Sequence, residues 1–320
     1  MAFSDTNAAL PAGPTYADNL HLKVWSGEVL KTFNTQTVLK SRVRVRTITS
    51  GSAVQFPAIG KVSAAYHKPG QVILGQAVNH GEVVIKIDDL LIADTFVSNW
   101  EEAVNHYEVR SEYTRQMGDS LAQAYDQHLF AIAAKAARSG STGPVPEMGP
   151  ATMTKLGATP SMADIIDGIY TSAAALDEKD VPKDGRTIFV TPSLYWDLIQ
   201  DGSFLDRDFG NVNGSQSGGS IMRVAGFEVV PSNNFALNFG EDSIEGKRGG
   251  TTHAEYTVDN STAVAMVMQR QALGSVHLMD LATEKDYQVE RQGTLVISRM
   301  ATGHGVLRPE CIDLLVAEEP

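Results

Sequence analysis

The chain has 320 residues, 42% hydrophobic and 20% charged, with 26 Lys and Arg against 38 Asp and Glu for a formal charge of −12. That composition excludes a largely disordered chain and suits one elaborated domain or two. The acidic balance, with a pI near 5.1, also disfavours a free-standing nucleic-acid binder, which is ordinarily basic.

A single cysteine, Cys311, allows no intrachain disulfide and no multi-cysteine metal site; it reads as a small core residue of a protein from a reducing compartment. The opening MAFSDTNAALPAGPTYADNL lacks a basic start followed by an apolar core, and no window approaches roughly 18 unbroken apolar residues. The expectation is a soluble protein made in a cytoplasm, without secretory signal or membrane span.

The first region runs over residues 1–47. Small and polar residues with Pro11 and Pro14 read as a mobile arm. From His21 to Arg46 the charge reverses, because Lys23, Lys31, Lys40, Arg42, Arg44 and Arg46 face a single acid, Glu28. In LKSRVRVRTI, Arg42, Arg44 and Arg46 alternate with Val43 and Val45, and a strand there would put all three guanidiniums on one face. Nucleic acid would attract such a face through counterion release. Acidic residues of the same or an adjacent subunit are the alternative, and Arg suits bidentate carboxylate pairing. The C-terminal stretch offers Asp280, Glu284, Asp286 and Glu290 as partners, which favours the second reading.

Residues 48–92 form an extended hairpin. Val54, Phe56 and Ala58 alternate at one end and Val83, Ile85 and Ile87 at the other, while Gly60, Pro69, Gly70, Gly75 and Gly81 punctuate the middle. Two legs of about 17 residues at roughly 3.3 Å each would reach on the order of 55 Å. A compact chain of this length has a radius of gyration of only about 20 Å. Since an isolated two-stranded ribbon is marginal in water, the expectation is that it lies on a neighbouring subunit.

Residues 93–160 carry a spine helix over 99–138. Ser98 with Glu101 makes a capping box, and Trp100, Val104, Tyr107, Ser111, Thr114, Met117, Leu121, Tyr125, Leu129 and Ile132 form one stripe at steps of three and four. Such a helix is roughly 60 Å long, and the drift of its stripe favours packing on a sheet over a coiled coil. Arg138 with Gly140 supplies a stop. Gly118 interrupts the middle and reads as a bend or as a packing glycine.

Residues 161–270 read as an α/β unit: helix 162–177, strand 187–190, helix 192–200 behind Thr191, strand GFEVV, and strand AVAMVMQR, with glycine-rich loops at 201–220 and 239–252. Residues 271–320 read as long strands returning to the spine.

Catalytic and metal motifs are rejected in turn. AIGKVS resembles the end of a phosphate loop, but Gln55 and Val62 stand where glycine and Ser or Thr are required. The nucleophile elbow and the paired-histidine zinc motif are both missing. His21, His67, His80, His106, His128, His253, His277 and His304 lie on different elements, none with a second ligand at metal spacing, and read as surface or capped histidines. Asp88 and Asp89 read as a solvated strand end. No cofactor is expected, and an enzyme would have to hide every part of its site.

Several strings carry a resemblance: GEVL at 27–30, SGSAVQFPAIG at 50–60, AAY at 64–66, NHYEVRSEYT at 105–114, GFEVV at 226–230 and GHGVLRPE at 303–310. In this order they resemble the major capsid proteins of short-tailed, T-seven-like bacteriophages (podoviruses). The order of parts resembles the HK-97-like capsid fold: an α+β class with N-terminal arm, extended β-hairpin loop, peripheral domain with long spine helix and axial α/β domain.

The resemblance implies a subunit of the virion that self-assembles as pentamers and hexamers into an icosahedral shell around double-stranded DNA. It also implies a scaffolding protein and a portal as assembly partners, and expansion during maturation. Intersubunit candidates are Arg42, Arg44, Arg46, Phe56, Lys61, Tyr66, Lys68, Glu284, Asp286 and Glu290, with Gly118 as a hinge. One of the glycine-rich loops would meet the capsomer axis. Lys61 and Lys68 lie where a relative of this fold crosslinks, but the T-seven branch resembles unlinked shells, so no crosslink is expected. A tail-tube subunit and a soluble α/β enzyme are the alternatives.

Overall fold

The computed structural model of the chain describes residues 16–73, 75–100, 110–201, 214–215, 220–221, 223–239 and 253–318. The arm before residue 16, Glu101 of the capping box, stripe residues Val104 and Tyr107, and most of both glycine-rich loops lie outside these residues. No described helix is long and apolar enough to cross a membrane.

Part of the basic arm is helical: α1 spans Tyr16–Gln36. The sequence reading offers no helix there, and packing explains why one forms. Val29 and Phe33 are buried, and the hydroxyls of Thr32, Thr35 and Thr37 donate to the carbonyls four residues back. Short helices are marginal in water and gain most of their stability from tertiary contact. Here that contact is a close approach at Gly118, where a Cβ would lie 2.8 Å from Thr32 Cβ and 2.9 Å from the Val29 carbonyl oxygen.

Beyond α1 the chain turns into β1 (Arg44–Thr47), an exposed four-residue strand. The turn is held from a distance: Val38 and Leu39 donate their backbone N–H groups to the Asp126 carboxylate at 2.8 and 3.1 Å. Asp126 is fully buried, and burial pushes its pKa up to about 7 despite those bonds and the nearby Arg42 charge. Asp126→Ala leaves one buried and one partly buried donor unsatisfied and is expected to destabilise the subunit by about 2–3 kcal/mol. A carboxyl whose folded pKa is raised contributes stability that is lost as pH rises through the folded value. Denaturant titration is therefore expected to show the wild type weakening from about pH 4 to about pH 7 while Asp126→Asn lacks that component.

The hairpin is shorter than expected. β2 (Ala53–Ile59) and β3 (His80–Lys86) pair antiparallel from Ala53↔Lys86 to Ile59↔His80, a ladder of only about 23 Å. Past Gly60 the chain leaves the ladder until His80, and β4 (Leu91–Ser98) belongs to the body. The ribbon is also not isolated. Val54, Phe56 and Ile85 are buried with Val276 and Leu307 in a small core of their own, so its root packs on its own chain while its tip projects.

The spine helix α2 is described over Arg110–Ser139, about 45 Å of helix. Thr114, Met117, Leu121, Tyr125 and Leu129 of the stripe are buried. From Leu129 to Ala137 most other faces are buried too, because Phe130, Ala131, Ala133, Ala134, Ala136 and Ala137 add a second side. The helix ends as the Arg138/Gly140 stop implies: Gly140 adopts φ +59°, its N–H reaches the Ala137 carbonyl, and the Ser141 N–H reaches that of Ala136. That is a Schellman closure.

The remaining elements are β5 (Thr152–Lys155), α3 (Met162–Glu178), β6 (Arg186–Val190), α4 (Pro192–Asp201), the short pair β7 (Gly214–Ser215) and β8 (Ser220–Ile221), β9 (Arg223–Val224) and β10 (Phe227–Pro231). They continue with β11 (Asn238–Phe239), β12 (Val258–Asp259), β13 (Ala263–Gln269), β14 (Leu273–Gln288), β15 (Gly293–Val306) and β16 (Ile312–Val316). Ser161 and Asp164 close a capping box on α3. A four-stranded sheet runs β1-β14-β15-β4 and a six-stranded one β5-β16-β13-β6-β10-β9.

Every residue of β6 and β16 is buried, so the second sheet is covered on both faces. Phe189 meets Phe130 of α2 edge-on at 5.1 Å, and Leu315 approaches Gly168 of α3. Two boundaries shift as a result. β5 and β16 belong to the six-stranded sheet and β14 and β15 to the four-stranded one, so the segment 271–320 divides between the two sheets.

Candidate functional site

The three arginines do not share one face. Only Arg44 and Arg46 lie on β1; Arg42 precedes it in the turn held by Asp126 and pairs with Glu228 of β10 at 2.6 Å, also donating to the Val38 carbonyl. The sequence reading did not select Glu228. Val43 is buried, but Val45 is 39% exposed because β1 is a short edge strand. The Arg44 and Arg46 guanidiniums lie 5.7 and 5.9 Å from the centre of the Phe56 ring, and Arg46 donates to the Gln55 carbonyl. Such stacking contributes about 0.5–1 kcal/mol per cation at exposed sites. Neither arginine has a carboxylate partner among the described residues.

Phe56 itself is 4% exposed inside the root core, which corrects its selection as a subunit contact. Lys61 pairs with Asp180 of the same chain at 3.2 Å, both side chains exposed. Tyr66 is fully exposed and Lys68 lies on the same exposed tip, with Val62, Val72 and Ile73 between 69% and 84% exposed. No described part of the chain covers this apolar tip. Of the acids, Glu284 is taken by Arg299 and Asp280 lies 3.6 Å from His277. Asp286 and Glu290 are exposed at the far end of β14 and beyond it, without an ion pair among the described residues.

The string Gly303-His304-Gly305 has a clear physical reading. Successive residues of a strand face opposite sides. On one side β3 crosses β15 so closely that a Cβ on Gly303 would lie 2.0 Å from the Lys86 carbonyl oxygen, and one on Gly305 2.8 Å from Ile85 Cγ1. On the other side His304 meets Tyr125 edge-on at 4.9 Å and His128 at 5.9 Å. His128 stacks on Tyr256 at 4.1 Å, His253 stands 6.1 Å from the same ring, and His277 lies 5.7 Å from Tyr125.

Four histidines that look scattered in the sequence thus share one seam, and His277 and His304 are buried rather than at the surface. Asp88, read as a solvated strand end, accepts the Tyr256 hydroxyl, and burial raises its pKa. A cleft of about 340 Å³ lined by Asp88, Asp89, His128, His253 and Thr302 opens beside it. No group of three metal-ligating side chains occurs among the described residues. Cys311 is buried, which pushes its thiol up to about 11 and leaves it unreactive.

A spine helix against a doubly covered sheet, a second sheet with two long strands, and a projecting hairpin together define a subunit of the HK-97-like viral capsid fold. The capsid structure of cyanophage P-SCSP1u matches with a TM-score of 0.75 and 33% identity over 89% of each chain. The mature capsid of bacteriophage PhiM1 (TM-score 0.71, 17% identity, 88% of this chain and 86% of that one) shares the fold. So does the virus-like particle from Pyrococcus furiosus (TM-score 0.59, 12% identity, 92% and 99%).

Residues 55–316 match the Gp10A-like major capsid protein family, and the chain belongs to it. It is 34% identical over 337 residues to the major capsid protein of Escherichia phage T7, covering 99% of this chain and 96% of that one. To that of Enterobacteria phage T3 it is 34% identical over 328 residues, covering 95% and 94%. The protein is a structural component of a bacteriophage capsid shell, not an enzyme, and neither the tail-tube nor the soluble-enzyme alternative stands.

Proposed function

We propose that the chain, made in a bacterial host cytoplasm, assembles as pentamers and hexamers into an icosahedral shell around double-stranded DNA, with a scaffolding protein and a portal as assembly partners. The observation that carries this reading is the hairpin. Its root is anchored on the subunit's own core, while its tip presents Val62, Tyr66, Val72 and Ile73 to solvent. Exposed apolar side chains grouped on one projection mark a surface that a partner covers, and a second copy is the partner a shell supplies. Lys61 and Lys68 flank the tip as polar contacts without a crosslink. Arg44 and Arg46, without a carboxylate partner among the described residues of their own subunit, pair with Asp286 and Glu290 of an adjacent copy. The axial loops at 201–220 or 239–252 surround the capsomer axis, and Gly118 takes up bending if the shell expands.

Negative-stain electron microscopy of the protein co-expressed with its scaffolding partner tests this. Closed polyhedral particles are expected; small discrete oligomers at every salt and protein concentration would overturn the reading.

A further inference from the structure

The histidine seam sits where four parts of the subunit meet. His128 and Tyr125 come from the spine helix, His277 and His304 from β14 and β15, His253 and Tyr256 from the segment before β12, and Asp88 from the root of the hairpin. Tyr125 donates to Ser275 at 2.9 Å and lies 3.3 Å from His277 Nε2, while His304 Nε2 lies 3.3 Å from the Thr302 hydroxyl. His304 Nδ1 is buried without a partner among the described residues, so an added proton there finds no acceptor. Because Gly303 and Gly305 on either side carry β3, any displacement of His304 from the spine is transmitted to the hairpin root.

We infer that this seam forms a proton-sensitive latch. With His277 and His304 neutral it holds hairpin root, spine and six-stranded sheet together, and charging those two buried rings as the pH falls loosens the hairpin from the body. Among the described residues the charges facing the seam are Asp126 on α2, Asp88 and Asp89 between β3 and β4, Asp280 on β14, Glu255 beside Tyr256 and Lys40 in the turn before β1. Asp280 favours a charged His277, but it is largely exposed, and burial together with Lys40 outweighs it.

Burial, reinforced by His128 and His277, holds His304 well below its ordinary value. A histidine with a depressed folded pKa contributes stability that is present above about pH 6.5 and is lost as pH falls. Asp88, with its pKa raised by burial, works in the opposite direction as a titrating group.

Hydrogen exchange of the full-length protein at pH 7.5 and 5.5, corrected for intrinsic rates, tests the latch without depending on shell geometry. Peptides covering 80–92, 122–130 and 300–306 are expected to lose protection by up to about tenfold per pH unit for each proton taken up. His304→Phe, whose ring keeps the Tyr125 contact, and His128→Phe, which keeps the stack on Tyr256, are expected to blunt that loss. If His304→Phe does not fold, His128→Phe carries the comparison alone. Unchanged protection in the wild type, or equal loss in the folded variants, overturns the inference.

Discussion

Arg44→Glu is expected to yield a folded subunit that forms no closed shells. The residue lies on an exposed edge strand, stacks over Phe56 and has no carboxylate partner among the described residues of its own subunit, so loss of the side chain costs the isolated fold little. Surface substitutions of this kind usually change stability by no more than about 0.5 kcal/mol. Assembly is different, because reversing one charge of an attractive pair turns it repulsive. At about 4 Å and an effective dielectric of about 20, each sign is worth about 4 kcal/mol before screening, and every copy in a shell repeats the contact. Sedimentation of co-expressed lysates, with circular dichroism of the soluble fraction, separates misfolding from failed assembly. Recovery of particles when Asp286 or Glu290 is reversed to Arg in the same chain would identify the partner. Intact Arg44→Glu shells that only package DNA poorly would assign the arm to nucleic acid instead.

Much of the axial unit was legible because its elements carry their own local signals. Ser161 and Asp164 cap α3, Thr191 receives the Leu194 N–H at the start of α4, and the apolar runs of β6 and β13 match strands buried on both faces. What was not legible depends on distant partners. α1 forms because Gly118, some ninety residues on, lets it approach, and Arg42 leaves the strand because Asp126 holds the turn before it. Alternation at both ends of the hairpin gave its existence but not where the ladder stops, since Gly60 and the glycines beyond it end the pairing without breaking the chain's extended course. The seam was invisible for a related reason: His128, His253, His277 and His304 belong to four separate segments, and only the antiparallel register of β14 with β15 and their contact with α2 bring them together. The one local hint was Gly303-His304-Gly305, where a large ring between two glycines on a strand already says that one face is crowded and the other crossed.

That crossing sets the second large effect. Gly303→Ala is expected to cost about 3 kcal/mol or more, and Gly305→Ala clearly less, although both place one methyl on the same face of the same strand. A Cβ at Gly303 meets the Lys86 carbonyl oxygen at 2.0 Å and Ile87 Cα at 3.0 Å. These are backbone atoms of the hairpin root that no rotamer change can move. At Gly305 the nearest atoms are Cγ1 and Cδ1 of Ile85, a side chain able to turn aside within the small root core. Overpacking usually costs about 1–3 kcal/mol and more where the neighbours are rigid, whereas the entropy gained by replacing glycine in the unfolded chain returns only about 0.4–1 kcal/mol. For Gly303→Ala the relief available is for β3 to lift away from β15, which opens the core of Val54, Phe56, Ile85, Val276 and Leu307 and misplaces the tip. The variant is therefore expected to lower the apparent denaturation midpoint, raise hydrogen exchange across 80–86 and reduce shell yield together. Stability equal to wild type, or a larger loss for Gly305→Ala than for Gly303→Ala, would show that the hairpin root is not held by this backbone contact.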